Sequence, residues 1–427
     1  KLWNWRPGTA PKELAAECMG KLVPLADWLI CNDSVVSPAS SNALEDLQLR
    51  ISLEPIRDLK IDLTANRTRN RSREIQYMFE GMPDTRSGNF SMSIISIGSA
   101  FERPSAGDGY HSGTFERFRR NLDVIRDRVE SQFLGAQYPQ GSALAGKTFD
   151  PANGTISKHS PDVMIPAFLA AYTGRSARNS ALDFFPSLFS MMPNWRITYT
   201  GLTKIAWFKK NFRSVNLNHA YRSTYSVGSY NTFQSFMSYM GDIGFVEDVQ
   251  SGNPIPSSRF DISMVSINEQ FSPLIGMDAT LKNGLTAKVE YKTSRILNLS
   301  MSACQLVETA SRDFVIGLGY KIVNFNLFSG RNVKDSKNRV SHDLALRADI
   351  SFRNQSALCR DIQQGFAQAT NGNKALKISC SADYTLSRLL TLRLYYDRQQ
   401  NTPLVSSSSY PVVSADFGFS MKFSLTR

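Results

Sequence analysis

What this chain has little of narrows its class first. No run of about 18 uninterrupted apolar residues occurs in its 427 residues, so a bundle of membrane-spanning helices is excluded. Histidine is scarce, with four residues at 111, 159, 219 and 342, far apart in sequence. The five cysteines, Cys18, Cys31, Cys304, Cys359 and Cys380, form no Cys-x-x-Cys pair. Their spacing fits neither a zinc site nor a disulfide-rich scaffold, and two free thiols at Cys304 and Cys359 are preferred over a bridge. Charged residues make up only 20% against 42% hydrophobic, which is too apolar for a disordered chain.

Catalytic signatures are missing as well. There is no Gly-x-Ser-x-Gly elbow, phosphate-binding loop or His-Glu-x-x-His helix. Gly317-Leu318-Gly319-Tyr320 has part of a nucleotide fingerprint but lies within a strand pattern, where glycine serves close packing. Asp108, His111, His159 and Asp162 could imitate a hydrolase site on outer loops, but no matched serine or acid pair accompanies them. The expectation is a protein that is not an enzyme, with no catalytic residue, no metal ligand and no cofactor.

The net charge of +12 would suit a nucleic-acid or acidic-lipid partner in a soluble domain. The cations do not gather on one helix, and the run Arg67-Thr68-Arg69-Asn70-Arg71-Ser72-Arg73 reads as a solvated hairpin loop. Contact with anionic lipid headgroups or a partner is its second reading, and nucleic acid is not expected.

What is present in quantity is alternation. Positions 413, 415, 417, 419, 421, 423 and 425 read Val, Ala, Phe, Phe, Met, Phe and Leu, whereas 414 to 426 read Ser, Asp, Gly, Ser, Lys, Ser and Thr. Side chains of a strand alternate between faces, so one face is apolar and the other polar or small. The same dyad runs through Leu344 to Phe352, Phe314 to Ile322, Leu376 to Tyr384 and Leu390 to Tyr396. It also runs through Leu285 to Met301 and Leu47 to Leu63.

A soluble sandwich alternates too. Runs longer than the usual five or six residues, a polar register rich in charge, and a closing Phe-rich strand favour a strand that crosses lipid. The fold class expected is all-β: an antiparallel transmembrane β-barrel with a partly helical insertion. Phe417, Phe419, Met421, Phe423 and Leu425 are expected to face lipid and to form the assembly strand. Asp343, Arg347, Asp349, Lys377, Asp383, Arg393 and Lys422 are expected to line a wet lumen.

The expected organisation is irregular loop and short helices over 1–43, barrel strands over 44–103, a partly helical insertion over 104–194, and barrel strands over 195–427 closing with the strand 411–427. In the insertion, Phe115, Phe118, Leu122, Ile125, Val129 and Phe133 share one helical face. Asp162 to Tyr172 forms a second apolar segment, and 183–189 a short helix or turn. If the last strand ends in the periplasm, then 401–410, 354–373 and 303–311 are outer loops. Ser387-Arg388, 324–341 and the Asn283-Gly284 hairpin are then inner turns. Arg295 falls on the apolar register of its strand and is expected near the outer rim.

A resemblance emerges from Phe271-Ser272-Pro273-Leu274-Ile275-Gly276-Met277-Asp278 onward. It continues through Leu281-Lys282-Asn283-Gly284-Leu285, Glu290-Tyr291-Lys292-Thr293-Ser294-Arg295, Leu392-Arg393-Leu394-Tyr395-Tyr396-Asp397-Arg398 and Asn401-Thr402-Pro403. Ser409-Tyr410-Pro411 and Phe417-Gly418-Phe419-Ser420 close it, and Pro193 to Leu202 adds an upstream piece. This ordered set, dense over 186–427, resembles the C-terminal end of the SprA/Sov family, the outer-membrane translocon of the type IX secretion system in Bacteroidota.

The resemblance implies the last segment of a very large single-chain barrel in the bacterial outer membrane, linked to gliding motility and protein secretion. Such a barrel passes folded cargo bearing C-terminal sorting domains. The partners it implies are a PorV-type shuttle barrel, a plug protein, the cargo and outer-membrane lipid. The opening Lys1-Leu2-Trp3, with neither an initiator Met nor an apolar leader, is expected to be an internal start within a longer precursor. The terminal Leu425-Thr426-Arg427 departs from the final aromatic common in outer-membrane proteins. A nutrient-uptake barrel or porin for small solutes is the alternative reading.

Overall fold

The computed structural model describes residues 15–18, 21–24, 39–75, 85–323, 325, 343–386, 389–405 and 410–423. Two short strands, β1 (Ala15–Cys18) and β2 (Lys21–Pro24), pair as a hairpin. This replaces the short helices expected at that point. The main sheet begins with β3 (Ala39–Ile56), five residues earlier than expected, and continues with β4 (Leu59–Ile75) and β5 (Thr85–Ser93).

An insertion over 94–193 follows. It carries α1 (Gly113–Ser131) and α2 (Pro161–Tyr172), so residues 94–103 are not barrel strand. The chain then forms β6 (Asn194–Tyr199), the short helix α3 (Ala206–Asn211) and β7 (Phe212–Thr232). A separate three-stranded sheet, β8 (Met237–Met240), β9 (Ile243–Glu247) and β10 (Pro254–Ser258), interrupts the run of wall strands expected over 195–427. After β11 (Phe260–Asp261), seven strands run in sequence: β12 (Met264–Leu281), β13 (Leu285–Ser300), β14 (Gln305–Ile322), β15 (Leu344–Asp361), β16 (Ala367–Thr385), β17 (Leu390–Pro403) and β18 (Val412–Phe423).

Thirteen of these strands form one antiparallel sheet, in the order β18 through β12, then β7, β5, β4 and β3, with β6 and β11 paired alongside. Among the described residues β3 and β18 stand at its two edges. Several connections are shorter than the sequence implied. The turn between β15 and β16 is 362–366 rather than 354–373, and that between β13 and β14 is 301–304 rather than 303–311. β17 runs to Pro403, into the segment expected as loop 401–410. Long strands absorbed these polar residues because an alternating face tolerates charge on its wet side. The Asn283-Gly284 turn is present, with Gly284 at φ 89°, a left-handed conformation that costs glycine nothing. Ser387-Arg388, most of 324–341, Cys31, Leu425 and the end of the chain lie outside the described residues.

β5 and β6 together occupy one place in the sheet, between β4 and β7. β5 pairs with β4 over Arg67–Glu74 and with β7, whereas β6 pairs with β4 over Leu59–Thr64 and with β7 lower down. The insertion is thus an excursion from the middle of a split wall strand. The break is closed by side chains: Ser93 Oγ accepts from Asn66 N at 3.0 Å and Asn194 Nδ2 at 3.2 Å, and Asn194 Oδ1 accepts from Ser223 N at 2.7 Å.

Within the insertion, Ser112 caps α1 by accepting from Phe115 N at 3.1 Å. The spacing read from the sequence holds: Phe115, Phe118, Leu122, Ile125 and Val129 are all buried. α2, with Pro161 in its first turn, is buried nearly all round. One apolar cluster joins both helices to Phe90, Tyr225, Ile267, Leu297 and Leu306 of the wall.

Candidate functional site

The register carries one apolar row across the whole sheet. Leu59 pairs with Tyr199, then Leu217, Met277, Val289, Ile316, Ile350, Ile378, Arg398 and Ala415 follow strand by strand. Residues directly opposite in an antiparallel pair lie on the same face. Arg398 is the only charge in that row. A second row runs Leu285, Tyr320, Leu346, Ala382, Leu394 and Phe419. Many of these side chains are left open: Phe417 is 73% exposed and Ile350 45%. Such a contiguous exposed apolar surface needs a nonaqueous neighbour.

The extent of the band is measurable on β15. Leu344, Leu346, Ala348, Ile350 and Phe352 alternate over nine residues. At about 3.4 Å per residue they cover roughly 27 Å of strand, and about 20 Å of height at a tilt of about 40°. This approaches the apolar height of about 25 Å typical of outer-membrane barrels. Aromatics border it at both ends. Tyr291, Phe314 and Phe352 are neighbours in one row. At the Asn283 end, Trp207 and Phe208 of α3 pack with Phe212, at 4.9 Å between the first two rings and 5.6 Å between Phe208 and Phe212. Lys209 and Lys210 close that helix.

The opposite face is predominantly polar in this half, with Ile296, Val307 and Val315 as its apolar members on β13 and β14. The register places Arg347, Asp349, Lys377, Asp383, Arg393 and Lys422 on it, and Asp343 continues it beside β15. Ion pairs cross it: Arg353 to Asp313 at 2.8 Å, Lys321 to Asp343 at 2.7 Å, and Arg393 to Asp383 at 3.5 Å. Exposed pairs of this kind contribute little stability, so their effect is a hydrated, charged surface. Phe417, Phe419, Met421 and Phe423 all project to the apolar side. A side chain at Gly317 or Gly319 would displace a polar neighbour on this face. A Cβ at Gly317 would lie 2.6 Å from an Asp349 carboxylate oxygen, and at Gly319 2.6 Å from the Thr286 hydroxyl.

Beyond the Phe314–Phe352 row, toward the end of the strands away from Asn283, the apolar register changes character. There the insertion covers the sheet, and ions lie beneath it. Arg295 is not an exposed rim residue, as its place in the sequence implied; it is 8% exposed. Its guanidinium donates to Glu269 at 2.6 Å, to Ser99 O at 2.6 Å and to Ser99 Oγ at 2.9 Å. Glu269 also accepts from Ser96 Oγ at 2.7 Å and Tyr221 Oη at 2.8 Å. A second pair repeats the scheme on the next two strands: Arg360 donates to Glu308 at 3.1 Å and to Tyr110 O at 2.6 Å. Arg119 of α1 reaches Ile362 O at 3.1 Å. Buried charges persist only when paired and hydrogen-bonded, and each of these carboxylates is. The planar fork of Arg suits it to hold a carboxylate and a backbone carbonyl at once.

The arginine run 67–73 is likewise strand rather than hairpin loop. Arg67, Arg69, Arg71 and Arg73 occupy alternate positions of β4. Arg67 bonds Glu45 at 3.1 Å, Arg71 bonds the same carboxylate, and Arg69 lies 4.8 Å above the Phe185 ring. Glu102, at the insertion's inner edge, accepts from Thr114 N at 2.9 Å and from the Ser112 and Thr114 hydroxyls. Although burial opposes it, these donors hold its carboxyl below the usual range. Burial pushes the Asp162 carboxyl up, despite bonds from Ser258 N at 3.2 Å.

Cys304, Cys359 and Cys380 are free thiols. Asp108 makes a local turn with Ser105, and Asp162 accepts from Ser258 N. Among the described residues no three His, Cys, Asp or Glu side chains gather as a metal site, and no helix is long and apolar enough to cross a membrane. No protein-family model matches the chain, and no curated protein is significantly similar to it.

Proposed function

We propose that this chain forms part of the wall of a transmembrane β-barrel in a bacterial outer membrane, and that the barrel conducts folded proteins. The observation that carries the reading is the apolar row from Leu59 to Ala415, backed by a charged face on the same strands. An exposed apolar face about as high as a membrane's hydrocarbon layer is costly in water and is favoured in lipid. In hydrocarbon an open sheet edge is untenable, so β3 and β18 require strand partners that close the wall.

The cargo is folded protein carrying a C-terminal sorting domain, and the protein is a type IX secretion translocon of the SprA/Sov kind. This finer reading rests on the ordered motifs from Phe271 to Ser420. Its mechanism is passage without chemistry by this chain. The face carrying Arg347, Asp349, Lys377 and Arg393 lines an aqueous bore, while a shuttle barrel receives cargo and a plug protein seals the resting pore.

The test is to isolate the full-length protein from its native membrane with arrested cargo and image the complex. Cargo density inside a closed wall, against the charged face, supports the reading. A small-solute barrel predicts instead steady ion conductance by the purified chain and no trapped protein. A water-soluble product with the apolar rows packed against each other would overturn both.

A further inference from the structure

The insertion leaves a cavity of about 340 Å³ where its inner edge meets the wall, lined by Glu102, Ser105, Thr293, Arg312, Asn354 and Lys374 among others. Its floor is a single cross-strand row, Thr293, Arg312, Asn354 and Lys374. That row lies on the same face as the apolar band and directly adjoins its last row, Tyr291, Phe314, Phe352 and Leu376. Cations here are therefore at the level where hydrocarbon gives way to headgroups.

The other charges that line the cavity are spent. Arg295 and Glu308 belong to the buried pairs, and Glu102 accepts from Ser112 and Thr114. Arg312 uses one N–H on Glu102 O at 3.2 Å, and its remaining donors meet no protein group among the described residues. Lys374 is exposed and has no partner among the described residues. Arg312 and Lys374 stand two strands apart, a backbone separation of about 10 Å that both side chains can bridge onto one anion. Arg398, the lone charge in the apolar row, is exposed two rows below and also lacks a partner among the described residues. A charge in that position relaxes by extending its head toward the interface, which adds a third cation to the same neighbourhood.

We propose that Arg312 and Lys374 form a phosphate site for a membrane lipid, with Arg398 supporting it from below. The phosphate sits between the guanidinium and the ammonium, above Asn354 of the intervening strand, whose side-chain amide donates to a remaining oxygen. The acyl chains run down the exposed rings of Phe314 and Phe352. The ligand class is a phosphate-bearing lipid. Arginine supplies paired N–H donors for a tetrahedral anion and lysine a point charge. The apolar row beneath is what selects a lipid over free phosphate. This inference rests on the membrane reading above and adds to it a ligand.

The test uses the full-length protein in detergent and native mass spectrometry with three probes: monophosphoryl lipid A, its dephosphorylated counterpart and inorganic phosphate. The expected result is selective retention of the phosphorylated lipid, weakened about tenfold or more in the Arg312→Gln/Lys374→Gln variant. The dephosphorylated lipid should bind both proteins weakly and alike. Equal retention of the phosphorylated lipid by both proteins overturns the site. Binding of inorganic phosphate as strong as that of the lipid overturns the lipid assignment. Heat-modifiable gel mobility and membrane fractionation are read in parallel. A wild-type protein that fails to enter membranes sinks the barrel reading itself. Membrane-inserted proteins that bind all probes alike sink only the lipid site.

Discussion

Arg295 and Glu269 face each other across β13 and β12 at 2.6 Å, on the register that carries apolar residues for the rest of its length. The insertion covers the pair and supplies Ser96 and Ser99 as partners, beside Tyr221 of β7. Docking of the insertion and satisfaction of this pair are one event. Arg295→Ala should therefore release the insertion, at a cost of about 3–5 kcal/mol for the unpaired carboxylate. Hydrogen exchange across α1 and α2 reads this directly. The double change Glu269→Gln/Arg295→Met should lose less protection than the single one, since no buried charge is stranded. A single variant as well protected as wild type would remove the coupling.

Phe419 sits in a row with Leu394 and Ala382 and is 59% exposed. In the barrel proposed above, a lysine there would place a charge in hydrocarbon, at about 2–4 kcal/mol near the midplane. Phe419→Lys should fail to assemble, judged by loss of heat-modifiable mobility. Lys422→Ala, on the other face, should assemble as wild type does. Equal behaviour of the two would mean that the faces are wrongly assigned.

Cys380 and Cys359 provide a chemical test of the same assignment. Cys380 lies in the apolar row between Ala348 and Tyr396, whereas Cys359 lies on the other face, with its thiol 3.4 Å from Gln305 Oε1. In a background without the other cysteines, an apolar maleimide should label Cys380 in intact membranes and a charged one should not. A charged maleimide should reach Cys359 only through the bore. Reversed labelling would invert the sheet.

Asp162, at the start of α2, carries a carboxyl pushed up by burial. A group whose native pKa lies above its unfolded value stabilises the fold fully below that unfolded value, about 3.9 for Asp. The contribution is lost as pH rises through the native pKa. Acidification from neutrality toward pH 4 should thus firm α2, seen as slower hydrogen exchange after correction for intrinsic rates. Asp162→Asn should flatten this dependence while keeping the acceptor for Ser258 N. Glu102 has the opposite sign, because its depressed pKa contributes stability that disappears as pH falls through it.

The strands from Leu285 onward were legible because each alternates without interruption, and alternation fixes face as well as element type. The amphipathic face of α1 was legible for the same reason at the helical period. What the sequence hid lay where one register serves two environments. In β13 the odd positions run from Val289, which faces outward, through Arg295 to Leu297, which is buried beneath a helix. Nothing local marks the change, because the covering chain lies nearly 200 residues away. The arginines of β4 were hidden likewise: Arg67 and Arg71 look like loop residues until Glu45, on the neighbouring strand, is placed beside them. The split of one wall strand into β5 and β6 left no trace either, since six residues carry too little periodicity to identify their neighbours.

The two buried arginine–glutamate pairs bind four consecutive strands, β12 to β15, to a single helical block at one end. That stretch of wall is consequently a rigid panel whose members cannot slide past one another while the block stays docked. Among the described strands, β16 to β18 carry no buried pair to that block, so in the barrel proposed above a change of girth falls on staves of this uncovered kind rather than on the panel.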